Sequence, residues 1–152
     1  MYSEGVPQMD RREKAIREWF AALTERRYDD LGEQLTDDAV MELVPFHEDE
    51  INAHTTIRYE DPLRGRHTIV ELYRQSAHIF DELAFTMREF HMVEGGLSAI
   101  VEYTSKGVAT PTKKEFNGRY IAVFSFEDGR IALWREYHDP TRFPEAFNAG
   151  PA

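Results

Sequence analysis

The segment Phe126 to Pro140, FEDGRIALWREYHDP, is the most informative part of the chain, because it combines a hairpin turn with a strand that changes from aliphatic to charged along its length. Asp128-Gly129 is a strong signal for a tight β-hairpin. The strand after it begins as aliphatic as any core strand and then runs into charged residues. Alternation puts Ala132, Trp134, Glu136 and His138 on one face, and Ile131, Leu133, Arg135 and Tyr137 on the other. An acid and an imidazole therefore share a face with a tryptophan.

The elements before this strand are helices first and strands afterwards. Asp10 and Glu13 form a capping-box pattern ahead of an amphipathic helix with Ile16, Trp19, Phe20 and Leu23 on one stripe. We predict a short helix over 30–35, a strand over 39–46, an irregular stretch over 47–58, a turn over 59–65, and a helix of about four turns that carries Ile69, Leu72, Tyr73, Ala77, Phe80 and Leu83. Strands follow over 85–93, 97–104, 116–126 and 130–138. This order predicts an α+β domain over residues 10–147, with tails at 1–9 and 148–152.

Composition excludes several classes of function. The 152 residues include 28 acidic and 18 basic side chains, for a formal net charge of −10, which repels nucleic-acid phosphates and anionic membranes. The absence of cysteine excludes disulfides, thiolate nucleophiles and cysteine-ligated zinc. The first ten residues have neither a basic nor an apolar signal-peptide region, and no run of 18 apolar residues occurs. We therefore expect a cytoplasmic protein with no nucleic-acid or membrane partner.

The order of elements, together with several short motifs, resembles the nuclear transport factor 2-like superfamily. The motifs are MELVPF at 41–46, Gly65-Arg66, Glu102-Tyr103, Arg119-Tyr120 and, most specifically, FEDGRIALWREYHDP. They narrow the resemblance to the SnoaL-like (polyketide cyclase) and ketosteroid isomerase-related branch. The resemblance implies a cone-shaped, strongly curved and mostly antiparallel sheet wrapped around about three N-terminal helices. It also implies a pocket at the open end for a small apolar organic ligand, no cofactor, and a homodimer through the outer sheet face.

Glu136 is the leading candidate for chemistry. In limonene epoxide hydrolases, which belong to the same superfamily, the last strand reads W-R-D-Y and its Asp is a catalytic carboxylate at the place of Glu136. A carboxyl walled by aromatic rings loses solvation, which raises its pKa toward neutrality and makes it a usable acid or base. The alternative for Glu136 is a structural salt bridge. The Arg-x-Asp pair of those hydrolases would fall on Tyr103 and Ser105, so the resemblance does not extend to their mechanism.

Weaker candidates surround this strand. His138 lies about 6–7 Å along the strand from Glu136 and is either a second proton carrier or a solvated strand end. Tyr120 is either an oxyanion donor or a packed core tyrosine, and Gly118 and Ala122 beside it on the same face leave space that fits a pocket. For Tyr59 and Asp61 a pocket role stands against a simple Asp-Pro turn. Trp134, Trp19 and Tyr73 are predicted to form core and pocket wall, and either Glu102 or Tyr103 faces the pocket.

We expect no metal site. The only dense group of candidate ligands, His47-Glu48-Asp49-Glu50 with His54, fits neither a zinc helix motif nor a strand pattern and is interpreted as a solvated acidic loop. The sequence therefore predicts an acid–base isomerase, cyclase or hydratase that acts on a small apolar carbonyl-type compound. The alternative is a non-catalytic binder of a small hydrophobic ligand, or a dimerisation module.

Overall fold

The computed structural model describes residues 9–148, so the predicted tails lie outside the described residues except for Met9 and Asn148. Five helices occur over this range: α1 (Arg11–Glu25), α2 (Tyr28–Glu33), α3 (Glu48–Ala53), α4 (Arg66–Ser76) and α5 (Arg142–Phe147). Six strands occur: β1 (Leu35–Val44), β2 (Leu63–Arg64), β3 (Phe80–Met92), β4 (Ser98–Ala109), β5 (Glu115–Glu127) and β6 (Arg130–His138).

The six strands form one curved, unclosed sheet in the order β2-β1-β6-β5-β4-β3. Strands β3 to β6 are an antiparallel meander, and the Asp128-Gly129 turn joins β5 to β6 as predicted. Only β1 and β6 pair in parallel, because the helices after β1 carry the chain away before the meander returns beside it. The α+β class predicted from the sequence is confirmed.

Helix α1 packs against the concave face of the sheet and supplies many of the core side chains. Ile16, Trp19 and Phe20 are all buried, as their helical spacing predicts, and Phe20 packs on Tyr103 with ring centroids 4.5 Å apart. Asp10 caps the helix by accepting a hydrogen bond from the Arg12 backbone N–H at 2.8 Å. The reciprocal half of the predicted capping box does not form, since Glu13 pairs with Arg17 instead.

The long helix after Gly65 is shorter than predicted. Helix α4 ends at Ser76, a single 3₁₀ turn follows, and Phe80 and Leu83 already lie in β3. The prediction was wrong because β-bulges interrupt the β3–β4 register near Asp81 and again near Arg88. A bulge adds one residue between inward-facing positions, so the spacing from Phe80 to Leu83 imitates a helical i, i+3 repeat.

A bulge also corrects the predicted alternation of β6. Ile131 was assigned to the outer face, yet it is fully buried in the core. The register of β6 against β5 shifts between Ile131 and Leu133, so Ala132 is the extra residue and Ile131 turns inward. From Trp134 onward the alternation holds.

Two short helices lie at the open end of the sheet. Helix α3 falls within the stretch predicted to be irregular, and α5 follows the Asp139-Pro140 turn. A second, smaller cluster of buried residues joins α5 to the sheet, with Ala146 packed among Ala109, Phe116 and neighbouring rings. These two helices position side chains around the mouth of the cavity described next.

Candidate active site

Strand β6 carries three side chains into one wall of a cavity of about 160 Å³ that is open at one end. They are Trp134, Glu136 and His138, the three that the sequence placed on one face from Trp134 onward. The rest of the wall is mainly aliphatic and aromatic and comes from β1, α3, α4, β3, β5 and α5. Its residues include Leu43, Pro45, Ile51, Leu72, Tyr73, Ile79, Phe80, Leu83, Phe85, Phe116, Tyr120 and Phe143.

Glu136 is the buried charge-bearing group of this cavity, with 8% of its surface exposed. Burial raises its pKa from 4.5 to about 7, because water no longer stabilises the carboxylate. The Tyr103 hydroxyl donates a hydrogen bond to Oε1, which lowers the pKa and partly opposes burial. No Lys, Arg or His side chain within residues 9–148 forms an ion pair with Glu136, so the alternative of a structural salt bridge is wrong. The carboxyl can therefore both accept and give a proton near neutral pH.

Of the two residues between which the sequence left a choice, Tyr103 faces inward and Glu102 is exposed. Tyr103 is not part of the cavity wall; it lies behind Glu136 and stacks on Tyr120 with ring centroids 4.7 Å apart and an angle of 13°. Its hydroxyl is a fixed donor, since burial raises its pKa well above the ordinary value. Tyr103 therefore holds one oxygen of Glu136 from the core side.

Tyr120 contributes its ring to the cavity wall, and its hydroxyl is already hydrogen-bonded to Ser105. The hydroxyl oxygen lies 2.6 Å from Ser105 Oγ, and burial raises its pKa. Gly118 is required for this arrangement, because a Cβ there would lie 2.0 Å from the Tyr120 hydroxyl and 2.4 Å from Ser105 Oγ. The space predicted beside Gly118 is thus filled by Tyr120 and does not enlarge the cavity.

His138 meets a second histidine that the sequence pattern did not single out as a site residue. The Nε2 atoms of His138 and His47 are 3.0 Å apart, and the His47 ring stacks on Phe143. Burial, and secondly the neighbouring His47, lowers the pKa of His138 from 6.5 to about 4, so the ring is neutral at neutral pH. His47 directly precedes α3, in a stretch without periodicity, and only the tertiary structure brings it to the cavity.

Besides Tyr103 and Gly118, three more of the predicted pocket residues lie outside the cavity wall. Trp19 is fully buried in the core behind the wall, with its ring centroid 5.1 Å from that of Trp134. Tyr59 is buried but away from the cavity, held by Asn52, whose side chain bonds both its backbone N–H and its C=O. Asp61 is exposed to solvent at the turn before β2, as the Asp-Pro alternative describes. Tyr73 does line the cavity, stacked on Trp134 at 5.9 Å.

The apolar residues of the mouth were also missed. Phe143 and Phe147 stack on each other at 4.3 Å in α5. Their i, i+4 spacing with Ala146 between them is an amphipathic signal that could have been found in the sequence. Ile51 of α3 gave no such signal.

One group of potential metal ligands occurs among the described residues. Ligand atoms of Glu89, His91 and Glu102 lie within 4.8 Å of one another, on exposed side chains of β3 and β4. They point away from the cavity, so the chemistry of Glu136 is separate from them. None of the helices within residues 9–148 has the length and apolarity to cross a lipid bilayer.

Comparisons with known proteins agree with this architecture. The sequence profile of the SnoaL-like domain matches residues 16–134. A putative isomerase from Bacillus subtilis has a similar structure, with a TM-score of 0.79 and 21% identity over 92% of this chain and 94% of that one. An epoxide hydrolase of Mycobacterium tuberculosis gives 0.70 and 22% over 92% and 91%. A second protein of that organism, solved with estradiol-17β-hemisuccinate, gives 0.71 and 10% over 88% and 98%. No curated protein sequence matches the chain.

Proposed function

Because the chain belongs to the SnoaL-like domain family, we propose that its cavity binds a small, largely apolar organic molecule and that Glu136 transfers a proton to or from it. The observation that carries the proposal is a carboxyl without a cationic partner among the described residues, buried in an apolar cavity that raises its pKa to about 7. A buried acid of this kind costs folding free energy, which a purely structural role does not explain. It is the group that an isomerase, cyclase or hydratase needs.

The cavity volume restricts the ligand. An apolar protein cavity of roughly 150 Å³ accommodates benzene, so about 160 Å³ suits a single ring or a short branched chain. The walls are apolar apart from a few groups such as Glu136 and the histidines, so the ligand needs one polar atom, such as a carbonyl oxygen, among apolar carbons. We propose a monocyclic ketone or enone as the ligand class, with the proton taken from the carbon beside the carbonyl.

The proposed roles follow from position. Glu136 acts as base and then as acid, through the oxygen that Tyr103 does not hold. Neutral His138, on the same face, supplies the second polar contact, and Trp134, Tyr73 and the ring of Tyr120 enclose the ligand. This chemistry needs no cofactor, since a carbonyl and one general base suffice for enolisation. Hydrolysis of an epoxide by an Arg-x-Asp pair is not proposed, because Tyr103 and Ser105 occupy those positions.

A specific observation favours a non-catalytic binder as the second candidate. The two groups expected to stabilise an enolate oxygen are engaged, Tyr120 with Ser105 and His138 with His47. Unless one of these bonds exchanges for the ligand, an enolate would form without a donor, and Glu136 would only orient what is bound.

Proton exchange distinguishes the two candidates. Cyclohexanone in D₂O loses its α-protons to solvent when a general base removes them, and ¹H NMR follows their disappearance. We expect wild type and the exposed control Glu127→Gln to accelerate this exchange, and Glu136→Gln to abolish the acceleration. Amide chemical-shift changes that saturate with cyclohexanone, without acceleration by wild type, would establish the binder and overturn catalysis of this kind.

We also propose a homodimer through the outer face of the sheet. Ile121 and Tyr137 are cross-strand neighbours there, and Tyr137 pairs in register with Val44 on β1. All three are exposed large apolar side chains, with 36 to 43% of their surface accessible. A contiguous apolar patch of this kind is typical of a protein interface.

A further inference from the structure

The two histidines at the cavity mouth form a hydrogen bond that needs one donor and one acceptor. The ring centroids of His47 and His138 are 5.1 Å apart and their Nε2 atoms 3.0 Å, so the two nitrogens lie between the rings and point at each other. This is the geometry of a direct N–H···N hydrogen bond. One Nε2 must carry a proton and the other must not, because two N–H groups cannot face each other at this distance.

The surroundings decide which ring is the donor. His47 Nδ1 lies 4.0 Å from Glu50 Oε2, so a proton on Nδ1 faces a carboxylate oxygen. With the proton of His47 on Nδ1, its Nε2 is the acceptor and His138 Nε2–H is the donor. The other carboxylate nearby, Asp139, is occupied by Thr141 and Arg142, which lower its pKa to about 2.

The pair connects the interior to solvent. His138 lines the cavity two residues from Glu136, His47 is 16% exposed, and Glu50 is 45% exposed on α3. Phe143 stacks on His47 and keeps its ring in line. The tyrosines closest to Glu136 cannot serve as the exit, because burial raises the pKa of Tyr103, Tyr73 and Tyr120.

We propose that His138, His47 and Glu50 form a proton path between the cavity and solvent, with His47 as a positioning and relay residue that neither the sequence pattern nor the family match assigns. The path rests on the proposed function, which supplies the proton at the cavity end. A proton from the ligand or Glu136 adds to His138 Nδ1, and the proton on its Nε2 passes to His47 Nε2. His47 then releases the proton on Nδ1 through a bridging water to the Glu50 carboxylate, since 4.0 Å is too long for direct transfer, and Glu50 gives it to solvent. Each ring gains one proton and loses one, and the reverse sequence returns a proton to the cavity.

Tautomers test the geometry without any ligand. Two-bond ¹H–¹⁵N correlation spectra of histidine-labelled protein at pH 7.5 should show His138 protonated on Nε2 and His47 on Nδ1. In Glu50→Gln the His47 preference for Nδ1–H should weaken. Protonation of both rings on Nε2 would overturn the path.

Exchange kinetics test whether protons travel along this path. With cyclohexanone in D₂O, His47→Gln should slow the wild-type exchange by about 10- to 100-fold, and added imidazole should restore the rate, whereas the exposed control His67→Gln should be unchanged. Glu50→Gln, a change at a side chain that is 45% exposed, should show a smaller loss with the same rescue. A wild-type rate in both His47→Gln and Glu50→Gln, or a loss that imidazole does not restore, would overturn the relay. If wild type itself shows no exchange, the proposed function fails and the tautomers alone decide the relay geometry.

Discussion

Replacing Glu136 with Gln should make stability less dependent on pH, and the size of the effect follows from its environment. The pKa of Glu136 is about 7 in the folded protein and 4.5 for an ordinary glutamate. The folded state therefore binds the proton more tightly than the unfolded chain does. Protonation contributes stability that is fully present below pH 4.5 and is lost as the pH rises through 7.

The magnitude comes from the pKa difference at about 1.4 kcal/mol per unit. Between its limits the contribution is about 3 kcal/mol, and between pH 5 and pH 8.5 it is about 2.5 kcal/mol. Because the group is 8% exposed, solvent screening does not reduce this appreciably. Glutamine has nearly the same shape and no charge, so the variant lacks the ionisation penalty at high pH.

Urea unfolding of wild type and Glu136→Gln at pH 5 and at pH 8.5 measures this contribution to stability. The free energy of unfolding of the variant minus that of wild type should be larger by about 2.5 kcal/mol at pH 8.5 than at pH 5, which means that the variant gains relative stability at high pH. Groups that titrate in both proteins, His138 included, cancel in this comparison. Glu127→Gln, at an exposed position, should show no such change. A difference between wild type and Glu136→Gln that is the same at both pH values would refute the argument that Glu136 is a buried, proton-binding carboxyl.

The other predictions concern the residues around Glu136 and the outer face. Tyr103→Phe removes the hydrogen-bond donor to Glu136 Oε1. Since a charged hydrogen bond contributes about 1.5–3 kcal/mol, the pKa of Glu136 should rise by about one to two units. A ¹³C NMR titration of the carboxyl measures this, and an unchanged midpoint would contradict it. Gly118→Ala should destabilise by about 1–3 kcal/mol in urea unfolding, because the new methyl overlaps the buried Tyr120 hydroxyl; a neutral result means that the ring moves freely. The imidazole of His138 should titrate near pH 4 by NMR. The contribution of its neutral form to stability is therefore present above pH 6.5 and is lost as the pH falls toward 4. A titration midpoint near 6.5 would mean that the imidazole is solvated. Ile121→Arg should convert a dimer to a monomer in light scattering with the amide spectrum otherwise retained, and a wild-type monomer would contradict the proposed interface.

Local pattern predicted the parts of the fold that are marked by a regular residue period or by a turn sequence. The stripe of α1, the Asp128-Gly129 hairpin and the alternation from Trp134 to His138 are such parts, and all agree with the structure. The pattern failed at Phe80 to Leu83 and at Ile131. A bulge is decided by how one strand fits its neighbour across the sheet, and residue spacing along one strand does not contain that information.

The candidate site divides in the same way. Glu136 and His138 could be placed on one inward face of β6 by counting residues, and the lack of a nearby cation was not visible in the sequence. Tyr59 and Asp61 were chosen by position in the chain, and they lie away from the cavity because the turn before β2 holds them elsewhere.

Sequence alone identifies an acidic α+β chain whose last strand carries a carboxyl among aromatic rings. These properties follow from composition and from periods of 2 and 3.6 residues, which are local. The contact of Tyr103 with Glu136, 33 residues away, and that of His47 with His138, 91 residues away, exist only in the folded chain. The physical reason is that burial, and with it the pKa of each group, depends on which distant side chains replace water around it.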